Sequence, residues 1–207
     1  SGTEMVEDLN SGSDDGVPRF LTVYDGNLYF SANNGSTGSE LYLYDGSSIK
    51  LVENICSSCY YGSRPQDLTV YDNSIYFSAE KDDGAGRELY RSNGLSATRV
   101  TDINPGSGYS SPTELTVWDG RLYFQATDGS TGRELFVYDA AQDQAQLVKN
   151  IDGGSGDSNP SNLTVYDNRL FFQATDGNTG QELFKLDGPI VSNVADLNAG
   201  GKDSDPR

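Results

Sequence analysis

Acidic side chains recur beside Gly-rich segments of this sequence, in a pattern that could bind a metal ion. Asp128 precedes a Gly-Ser-Thr-Gly run and Glu134 follows it, and Asp176 and Glu182 repeat the arrangement. Because Ca²⁺ prefers carboxylate oxygens offered by flexible loops, these four residues are predicted to be calcium ligands. The spacing matches neither an EF-hand loop nor a calcium-binding nonapeptide repeat. The alternative is that each Glu accepts hydrogen bonds from turn amides while Gly supplies positive φ.

Two further motifs predict covalent modification. Cys56 and Cys59 lie in a Cys-x-x-Cys run between two strand patterns, and no helix pattern follows them. A redox motif would need that helix and a zinc site would need two more ligands, so we predict a local disulfide and an oxidising compartment. Asn34 and Asn162 begin Asn-x-Ser/Thr sequons and are the predicted glycosylation sites. Asn34 lies in a predicted exposed loop, whereas Asn162 lies next to a strand.

Catalytic chemistry is poorly represented in the chain. It contains no His, which removes the commonest general base and the commonest metal ligand. Its carboxylates occur at equivalent positions of a repeat, whereas a glycosidase needs one particular pair across a pocket. We therefore predict no catalytic residue, no cofactor other than calcium, and a protein that is not an enzyme.

The charge of the chain excludes several classes of partner. Its 207 residues include 14 basic and 31 acidic side chains, a formal net charge of −17. Such a surface repels nucleic acid and anionic lipid, and no stretch approaches the ~20 apolar residues of a membrane span. We predict no nucleic-acid partner, no membrane insertion, and a location outside the cell or at the cell surface. Solubility alone is the other reading of the acidity.

The elements that position these residues form a repeat. A Leu-Thr-Val-aromatic anchor occurs every 47 or 48 residues. A period in this range is typical of stacked or ring-forming units. The anchors begin at Leu21, Leu68, Leu115 and Leu163. The predicted units of this single repeat domain, 1–207, are 1–19 (partial), 20–66, 67–113, 114–161 and 162–207.

Each unit contains the pattern of four short strands. In the third unit the anchor strand is followed by Asp119 and Gly120, a dipeptide typical of a two-residue β-hairpin turn. A second strand, a Gly-rich loop, a third strand, a turn and a fourth strand follow. The strands are apolar on both faces, which indicates that each sheet is covered on both sides. We predict an all-β, β-propeller-type fold of four tandem four-stranded antiparallel blades, with a β-solenoid as the alternative.

Aromatic residues occupy four columns that recur in every unit. In the first unit these are Tyr24, Tyr29, Phe30 and Tyr42. Aromatic side chains bury more area than any others, so the columns are predicted to form the core between blades. The alternative is that they are platforms on which sugars stack.

Both ends of the chain match the fourth strand of a unit. Residues 3–10 resemble this strand and its loop, and so do residues 190–198. The chain would then contain the fourth strand five times but each of the other three strands only four times. One terminal strand would therefore be spare. Because an unpaired strand edge is usually capped or paired, the predicted partners are copies of the protein itself or further repeats of the same polypeptide. The final Pro206-Arg207 repeats Pro18-Arg19, which favours continuation of the repeat or head-to-tail polymerisation.

A recurring block of the pattern Glu-Leu-aromatic-x-x-Asp-Gly, with Asn93 in place of Asp in the second copy, follows each Gly-rich loop. It begins at Glu40, Glu88, Glu134 and Glu182, and the third copy lacks the Gly after Asp139. The block resembles the ELWxxDGT repeat of bacterial secreted and cell-surface proteins, with Tyr or Phe in place of Trp. The resemblance covers essentially the whole chain. It implies a large, propeller-like extracellular repeat protein with no defined catalysis.

The predicted function follows from the repeat and the resemblance. We expect a non-enzymatic extracellular structural or adhesive repeat module, either a segment of a longer array or a filament-forming subunit joined through its terminal strand. The alternative is a carbohydrate-binding, lectin-like β-propeller, with or without calcium. In that case loop residues such as Tyr109 and Asp128 would contact the glycan.

Overall fold

The computed structural model describes residues 2–12, 14–199, 201–204 and 206, and this part of the chain is built from sixteen β-strands without a helix. It accordingly contains no helix that could cross a membrane. The predicted units 1–19 and 162–207, and the predicted continuation at Arg207, include residues 1, 13, 200, 205 and 207, which lie outside the described residues. The strands are β1 (Arg19–Tyr24), β2 (Asn27–Asn33), β3 (Ser39–Tyr44), β4 (Ile49–Glu53), β5 (Gln66–Tyr71), β6 (Ser74–Glu80), β7 (Arg87–Ser92), β8 (Ala97–Arg99), β9 (Thr113–Trp118), β10 (Arg121–Thr127), β11 (Arg133–Asp139), β12 (Gln144–Lys149), β13 (Ser161–Tyr166), β14 (Arg169–Thr175), β15 (Gln181–Asp187) and β16 (Ile190–Ala195).

The strands form four separate sheets, each a meander of four consecutive strands. The orders are β1-β2-β3-β4, β5-β6-β7-β8, β9-β10-β11-β12 and β13-β14-β15-β16, and every pairing is antiparallel. We call these sheets blades 1 to 4. Their first strands pack in series, β1 on β5, β5 on β9 and β9 on β13, and so line the inner edge of the stack. The predicted four tandem four-stranded antiparallel blades are confirmed.

The tight turns have the predicted chemistry. Trp118 pairs with Arg121, which leaves Asp119 and Gly120 as a two-residue hairpin loop. Their φ angles are 48° and 70°, both in the left-handed region that a type I′ turn requires. The other three blades place Asp followed by Gly or Asn at the same turn, also with positive φ. The short polar side chain of Asp or Asn tolerates this conformation.

A backbone irregularity recurs in the first strand of each blade. The residue before each anchor Leu has positive φ and lies where the register shifts against the second strand, so it forms a bulge. The residues are Phe20, Asp67, Glu114 and Asn162, with φ between 55° and 63°. Three of these side chains are Asp, Glu and Asn, but the first is Phe, and no common sequence pattern predicted the bulge.

The hydrophobic core lies between consecutive blades, as the aromatic columns predicted. Between blades 2 and 3, Tyr76 and Leu89 of one sheet pack against Leu122, Phe124 and Tyr138 of the next. All five side chains are at most 1% exposed. Equivalent clusters lie between blades 1 and 2 and between blades 3 and 4. Each sheet is therefore stabilised mainly by its neighbours rather than by its own strands.

The predicted spare strand is not formed. Residues 190–195 are β16, but residues 3–10 contain no strand, so the described residues hold sixteen strands rather than seventeen. A fourth strand pairs with the third strand of its own blade, and residues 3–10 have no third strand beside them. The loop between residues 3–10 and β1 still occupies the position that a connection between blades has elsewhere in the chain. Asn33 N donates to Gly16 O at 2.8 Å, just as Glu80 N donates to Ser63 O at 3.0 Å.

Candidate functional site

The long loops of all four blades lie at one end of the stack. In a four-stranded meander, the loop between the second and third strands and the connection to the next blade leave from the same end. We call this the loop end; the opposite end carries the tight turns. The loops are 34–38, 81–86, 128–132 and 176–180, and the connections are 54–65, 100–112 and 150–160.

Four buried glutamates fasten the chain at the loop end. Glu88 is fully buried, and its carboxylate accepts hydrogen bonds from Ser110 Oγ at 2.6 Å, Ile103 N at 3.0 Å and Ser110 N at 3.1 Å. One side chain thus ties both ends of the connection leaving its blade, an arrangement we call the carboxylate latch. The equivalent latches are Glu40 with Ser63 and Ile55, Glu134 with Ser158 and Ile151, and Glu182 with Ser204 and Leu197.

Burial makes the carboxyls of Glu40, Glu88 and Glu134 harder to ionise. It raises the pKa of Glu88 to about 7, and the hydrogen bonds from Ser110 and Ile103 offset only part of this effect. Burial also raises the pKa of Glu40 and Glu134, against the hydrogen bonds that each receives from its latch serine. A substantial fraction of Glu88 is therefore protonated at neutral pH.

The aspartates of the Gly-rich loops have a local structural role. Asp128 Oδ1 accepts hydrogen bonds from Ser130 N at 2.8 Å and Thr131 N at 2.9 Å, and Asp176 makes the same bonds within its own loop. Burial works to raise the pKa of both carboxyls, but these hydrogen bonds outweigh it and the pKa is lowered. Each Asp therefore stabilises an Asx turn.

The structure does not support the predicted calcium ligands. Asp128 and Asp176 bind amides of their own loops, whereas Glu134 and Glu182 are buried in the latches of blades 3 and 4. Across the described residues, no group of three or more metal-binding side chains is close enough to hold an ion. The alternative, in which each Glu accepts hydrogen bonds from loop amides, is confirmed by the bond from Ile151 N at 2.9 Å.

The connection between blades 1 and 2 is closed by a covalent bond. Cys56 and Cys59 form the predicted disulfide, with their Cα atoms 5.3 Å apart. In the connection after blade 2, Asn104 has the position of Cys56, and its Nδ2 donates to the carbonyl five residues later at 3.3 Å. Asn10 and Asn198 make the same bond in their loops. The disulfide therefore replaces a loop-closing hydrogen bond that three of the other loops make, whereas the connection after blade 3 has Asp152 at this position.

The same connection carries an exposed aromatic pair. Tyr60 and Tyr61 are 88% and 69% exposed, and their rings meet edge to face with centroids 4.8 Å apart. Beside them lies a hollow of about 730 Å³ whose lining is largely polar and includes Asn33, Ser36 and Arg64. An aromatic pair held by a disulfide at the rim of a polar hollow is suited to bind an extended ligand.

Neither this pair nor the latch serines were among the residues predicted from the sequence. The connection between blades 1 and 2 has one more residue between its latch contacts, Ile55 and Ser63, than the connection between blades 2 and 3 has between Ile103 and Ser110. A position that departs from the repeat is a candidate for a function that the other units lack. The extra residue in this connection could therefore have drawn attention to the Tyr pair. The serines were detectable as well, because a Ser stands two residues before the Pro of each full unit.

The predicted glycosylation sites have different surroundings. Asn34 is half-buried, and its Oδ1 accepts hydrogen bonds from Ser36 N and Thr37 N at 3.0 and 2.9 Å. Asn34 therefore has the same role in blade 1 that Asp128 has in blade 3. Asn162 is exposed on β13, and its Nδ2 donates to Gln173 Oε1 at 3.2 Å. Glycosylation at either position stays a prediction.

The two ends of the blade series expose different surfaces. Each blade has a forward face toward the next blade and a backward face toward the preceding one. On the forward face, Tyr71 of blade 2 is 7% exposed, whereas its counterpart Tyr166 of blade 4 is 71% exposed. On the backward face, Leu68 of blade 2 is 9% exposed and its counterpart Leu21 of blade 1 is 61% exposed. Both terminal faces thus lack the neighbour that covers the interior ones.

Several solved structures share this architecture. A puromycin-hydrolysing peptidase of Mycobacterium tuberculosis matches 87% of this chain over 29% of its own, with a TM-score of 0.60 and 13% identity. The acylaminoacyl peptidase of Pyrococcus horikoshii matches 87% over 27% of its own, with a TM-score of 0.57 and 11% identity. The β-propeller domain of the trilobed protease from Pyrococcus furiosus matches 86% over 55%, with a TM-score of 0.57 and 11% identity.

These comparisons establish the fold of the chain. The predicted β-propeller-type architecture is confirmed, and the chain spans less than a third of the two whole peptidases that it matches. No family model matches the sequence, and no curated protein does either.

The comparisons also correct the predicted function. Among the structures that share the fold are peptidases that this chain matches over less than a third of their length, and this finding overturns both the structural or adhesive repeat module and the lectin-like alternative. The error arose because a repeat of equivalent units was interpreted as an array of equivalent surfaces. The same repeat builds the blades of a β-propeller-type fold.

Proposed function

We propose that the chain is a non-catalytic β-propeller domain of a secreted, peptidase-type protein, and that it binds extended polypeptide segments at the loop end beside Tyr60 and Tyr61. The observation that carries the proposal is the disulfide-closed connection between blades 1 and 2, where the repeat is broken by an exposed aromatic pair.

The accessory role is supported by how the carboxylates are used. The latch glutamates are buried and bonded to loop amides and serines, and the loop aspartates are bonded to their own turns. A catalytic carboxylate needs to reach a substrate, and a nucleophile needs a neighbouring base. The sequence contains no His to supply that base. The similarity in fold to peptidases is therefore better explained by a shared propeller domain than by a shared catalytic site.

The polypeptide ligand is supported by the surface itself. Tyr side chains provide rigid apolar area with a polar tip, and they are enriched among the residues that dominate protein–protein binding. The hollow beside Tyr61 offers hydrogen-bonding groups of the kind an extended backbone requires, among them Ser36, Ser57 and Asn33. Several of the solved structures with this fold are named as peptidases, enzymes whose substrates are polypeptides.

A secreted setting is supported by two independent features. The Cys56–Cys59 disulfide persists in oxidising compartments. The resemblance of the blocks beginning at Glu40 and Glu134 to the ELWxxDGT repeat implies an extracellular protein, and we propose this relationship on the same residues.

Peptide selection tests the binding site. A phage-displayed library of random linear peptides is panned on the purified chain, and the selected peptides are measured by fluorescence anisotropy. Tyr60→Ala and Tyr61→Ala are expected to weaken binding by about tenfold or more, because truncating an aromatic anchor costs at least ~1.4 kcal/mol. Tyr109→Ala, an exposed Tyr of the next connection, is the matched control. Equal binding by all three variants would refute the proposed site.

A hydrolysis assay tests the accessory role. The purified chain is incubated with casein and with fluorogenic peptides, and we expect no turnover. Turnover that survives repurification and disappears on substitution of one carboxylate would contradict the proposal.

A further inference from the structure

The contacts between interior blades follow a fixed pattern. On the forward face a Thr hydroxyl donates to the anchor-Leu carbonyl of the next blade: Thr22 to Leu68 O at 3.0 Å and Thr69 to Leu115 O at 3.2 Å. An adjacent Tyr hydroxyl reaches the tight turn of that next blade. Tyr71 Oη donates to Gly120 O at 2.9 Å, and Tyr24 Oη donates to Asn73 O at 2.5 Å. The forward faces of blades 1 and 2 are thus chemically matched to the backward faces that follow them. Blade 3 keeps the Thr contact, from Thr116 to Leu163 O at 3.5 Å, but has Trp118 in place of the Tyr, and the Trp118 Nε1 has no hydrogen-bond partner among the described residues.

Blade 4 presents the donors of this pattern without a neighbour. Thr164 and Tyr166 have the positions of Thr69 and Tyr71, and both are exposed. The apolar part of the face is open as well. Leu197 is 69% exposed, whereas its counterpart Ile151 in blade 3 is 9% exposed. The forward face of blade 4 is therefore an interface of known chemistry with no partner blade among the described residues.

Blade 1 presents the matching backward face as a groove. The groove has a volume of about 460 Å³ and is lined by Leu21, Leu28 and Phe30 of the blade and by Met5 and Leu9 of the preceding segment. In blades 2 to 4, the counterparts of Leu28 and Phe30 are completely buried under a preceding blade. The segment 3–9 lies along this groove without filling it, since only Leu9 among these residues is partly buried.

We propose that the forward face of blade 4 binds the backward face of blade 1 in a second copy of this chain, displacing the segment 3–9 from the groove. The contact continues the three interfaces already formed within the chain, with Tyr166 and Leu197 of one copy facing Leu21 and Phe30 of the other. Two such contacts close a ring of eight blades, within the range of four to eight that propellers use. The sheets meet face to face, and no strand is exchanged.

Charge opposes this association at low ionic strength. Each copy has a formal net charge of −17, so two copies repel each other until salt screens the interaction. Complex formation is therefore expected to increase with salt, as is usual for an apolar interface between like-charged proteins.

A complementation experiment tests the proposal by light-scattering mass measurement at near-physiological and higher salt. The wild-type chain is expected to form a species of about twice 22.3 kDa. Tyr166→Asp blocks the forward face and Leu21→Asp blocks the groove; both residues are exposed, so each variant retains the fold, which near-UV circular dichroism checks. Each variant alone is expected to be monomeric, and an equimolar mixture is expected to form the two-copy species through the one intact pair of faces.

Three outcomes would overturn the proposal. Monomers in the wild type and in the mixture would show that the faces do not bind each other. A two-copy species of Leu21→Asp alone would show that blade 4 binds blade 4. A series of larger masses would show that the contacts do not close. Leu9→Ser loosens the segment 3–9 and is expected to tighten association at least about threefold; no change would show that the segment does not compete for the groove.

Discussion

The interface between blades 2 and 3 and the free forward face of blade 4 are made of nearly the same residues and differ in what covers them. Tyr71 and Leu89 are 7% and 0% exposed between two sheets, whereas Tyr166 is 71% exposed and Leu183 is only partly buried. The comparison teaches that the identity of a residue in a repeat does not fix its contribution to stability. That contribution depends on whether the next unit is present.

The largest difference is expected for a core leucine. Leu135 lies fully buried between blades 3 and 4, and Leu183 has the same position on the free face of blade 4. Leu135→Ala is expected to lower the free energy of unfolding by about 3–4 kcal/mol and Leu183→Ala by about 1 kcal/mol. Urea unfolding at low protein concentration measures both. Equal losses would mean that the free face is covered in solution.

The latch of blade 2 extends the comparison to electrostatics. Burial raises the pKa of Glu88 to about 7 from a usual 4.5, so the folded state keeps this proton to higher pH than the unfolded state does. The stability that Glu88 contributes is therefore fully present below about pH 4.5 and lost as the pH rises through 7. The loss amounts to about 3 kcal/mol, since each pH step between the two pKa values is worth about 1.4 kcal/mol.

Glu88→Gln removes this titration. The free energy of unfolding of the variant is expected to fall less than that of the wild type between pH 4.5 and 8, as chemical denaturation at a series of pH values measures. Glu7→Gln, at an exposed position, controls for the change in net charge. Parallel pH profiles of Glu88→Gln and the wild type would contradict the assignment.

The loop closures provide a smaller contrast. A disulfide that closes a loop of four residues is expected to stabilise the fold by about 2 kcal/mol, and a side-chain hydrogen bond by about 1 kcal/mol. Replacing both Cys56 and Cys59 by Ala should therefore lower the melting temperature more than Asn104→Ala does. Scanning calorimetry makes the comparison, and the opposite order would show that the hydrogen bond is the stronger closure.

The smallest expected effect concerns one hydroxyl. Tyr71 Oη donates to Gly120 O across the interior interface, so Tyr71→Phe is expected to cost about 1 kcal/mol. Tyr166→Phe changes an exposed hydroxyl, and the expected cost in the isolated chain is within the error of urea unfolding. A comparable loss in both variants would indicate that Tyr166 also has a partner.

Much of the fold was predictable because it depends on local chemistry. Asp119 and Gly120 specify a turn by their backbone preferences, and the aromatic columns specify which faces must be covered. The spare strand failed as a prediction because a strand forms only beside a partner, and residues 3–10 have none. The bulge at Glu114 was invisible since it follows from the packing of β9 against its neighbours rather than from the side chain.

The candidate site was harder to predict for a related reason. Glu134 and Asp128 have the residue types of a calcium site. Only the direction in which each side chain points distinguishes a calcium ligand from a residue that binds loop amides. That direction depends on Ser158, which lies 24 residues from Glu134 along the chain. Tyr60 and Tyr61 were overlooked because the aromatic columns drew attention to positions that recur, whereas the site lies where the repeat is interrupted.

The exchange of Asn for Cys in one connection has a consequence for how such a chain can change. The second and third strands pair in the same register in blades 1 and 2, although the connections that follow these blades differ in length and in closure. Cross-linking can therefore be introduced into a propeller one connection at a time, by two substitutions such as those at Asn104 and Ser107, without altering any sheet. The stability of a connection and the sequence of its exposed loop can in this way change independently of the sheets.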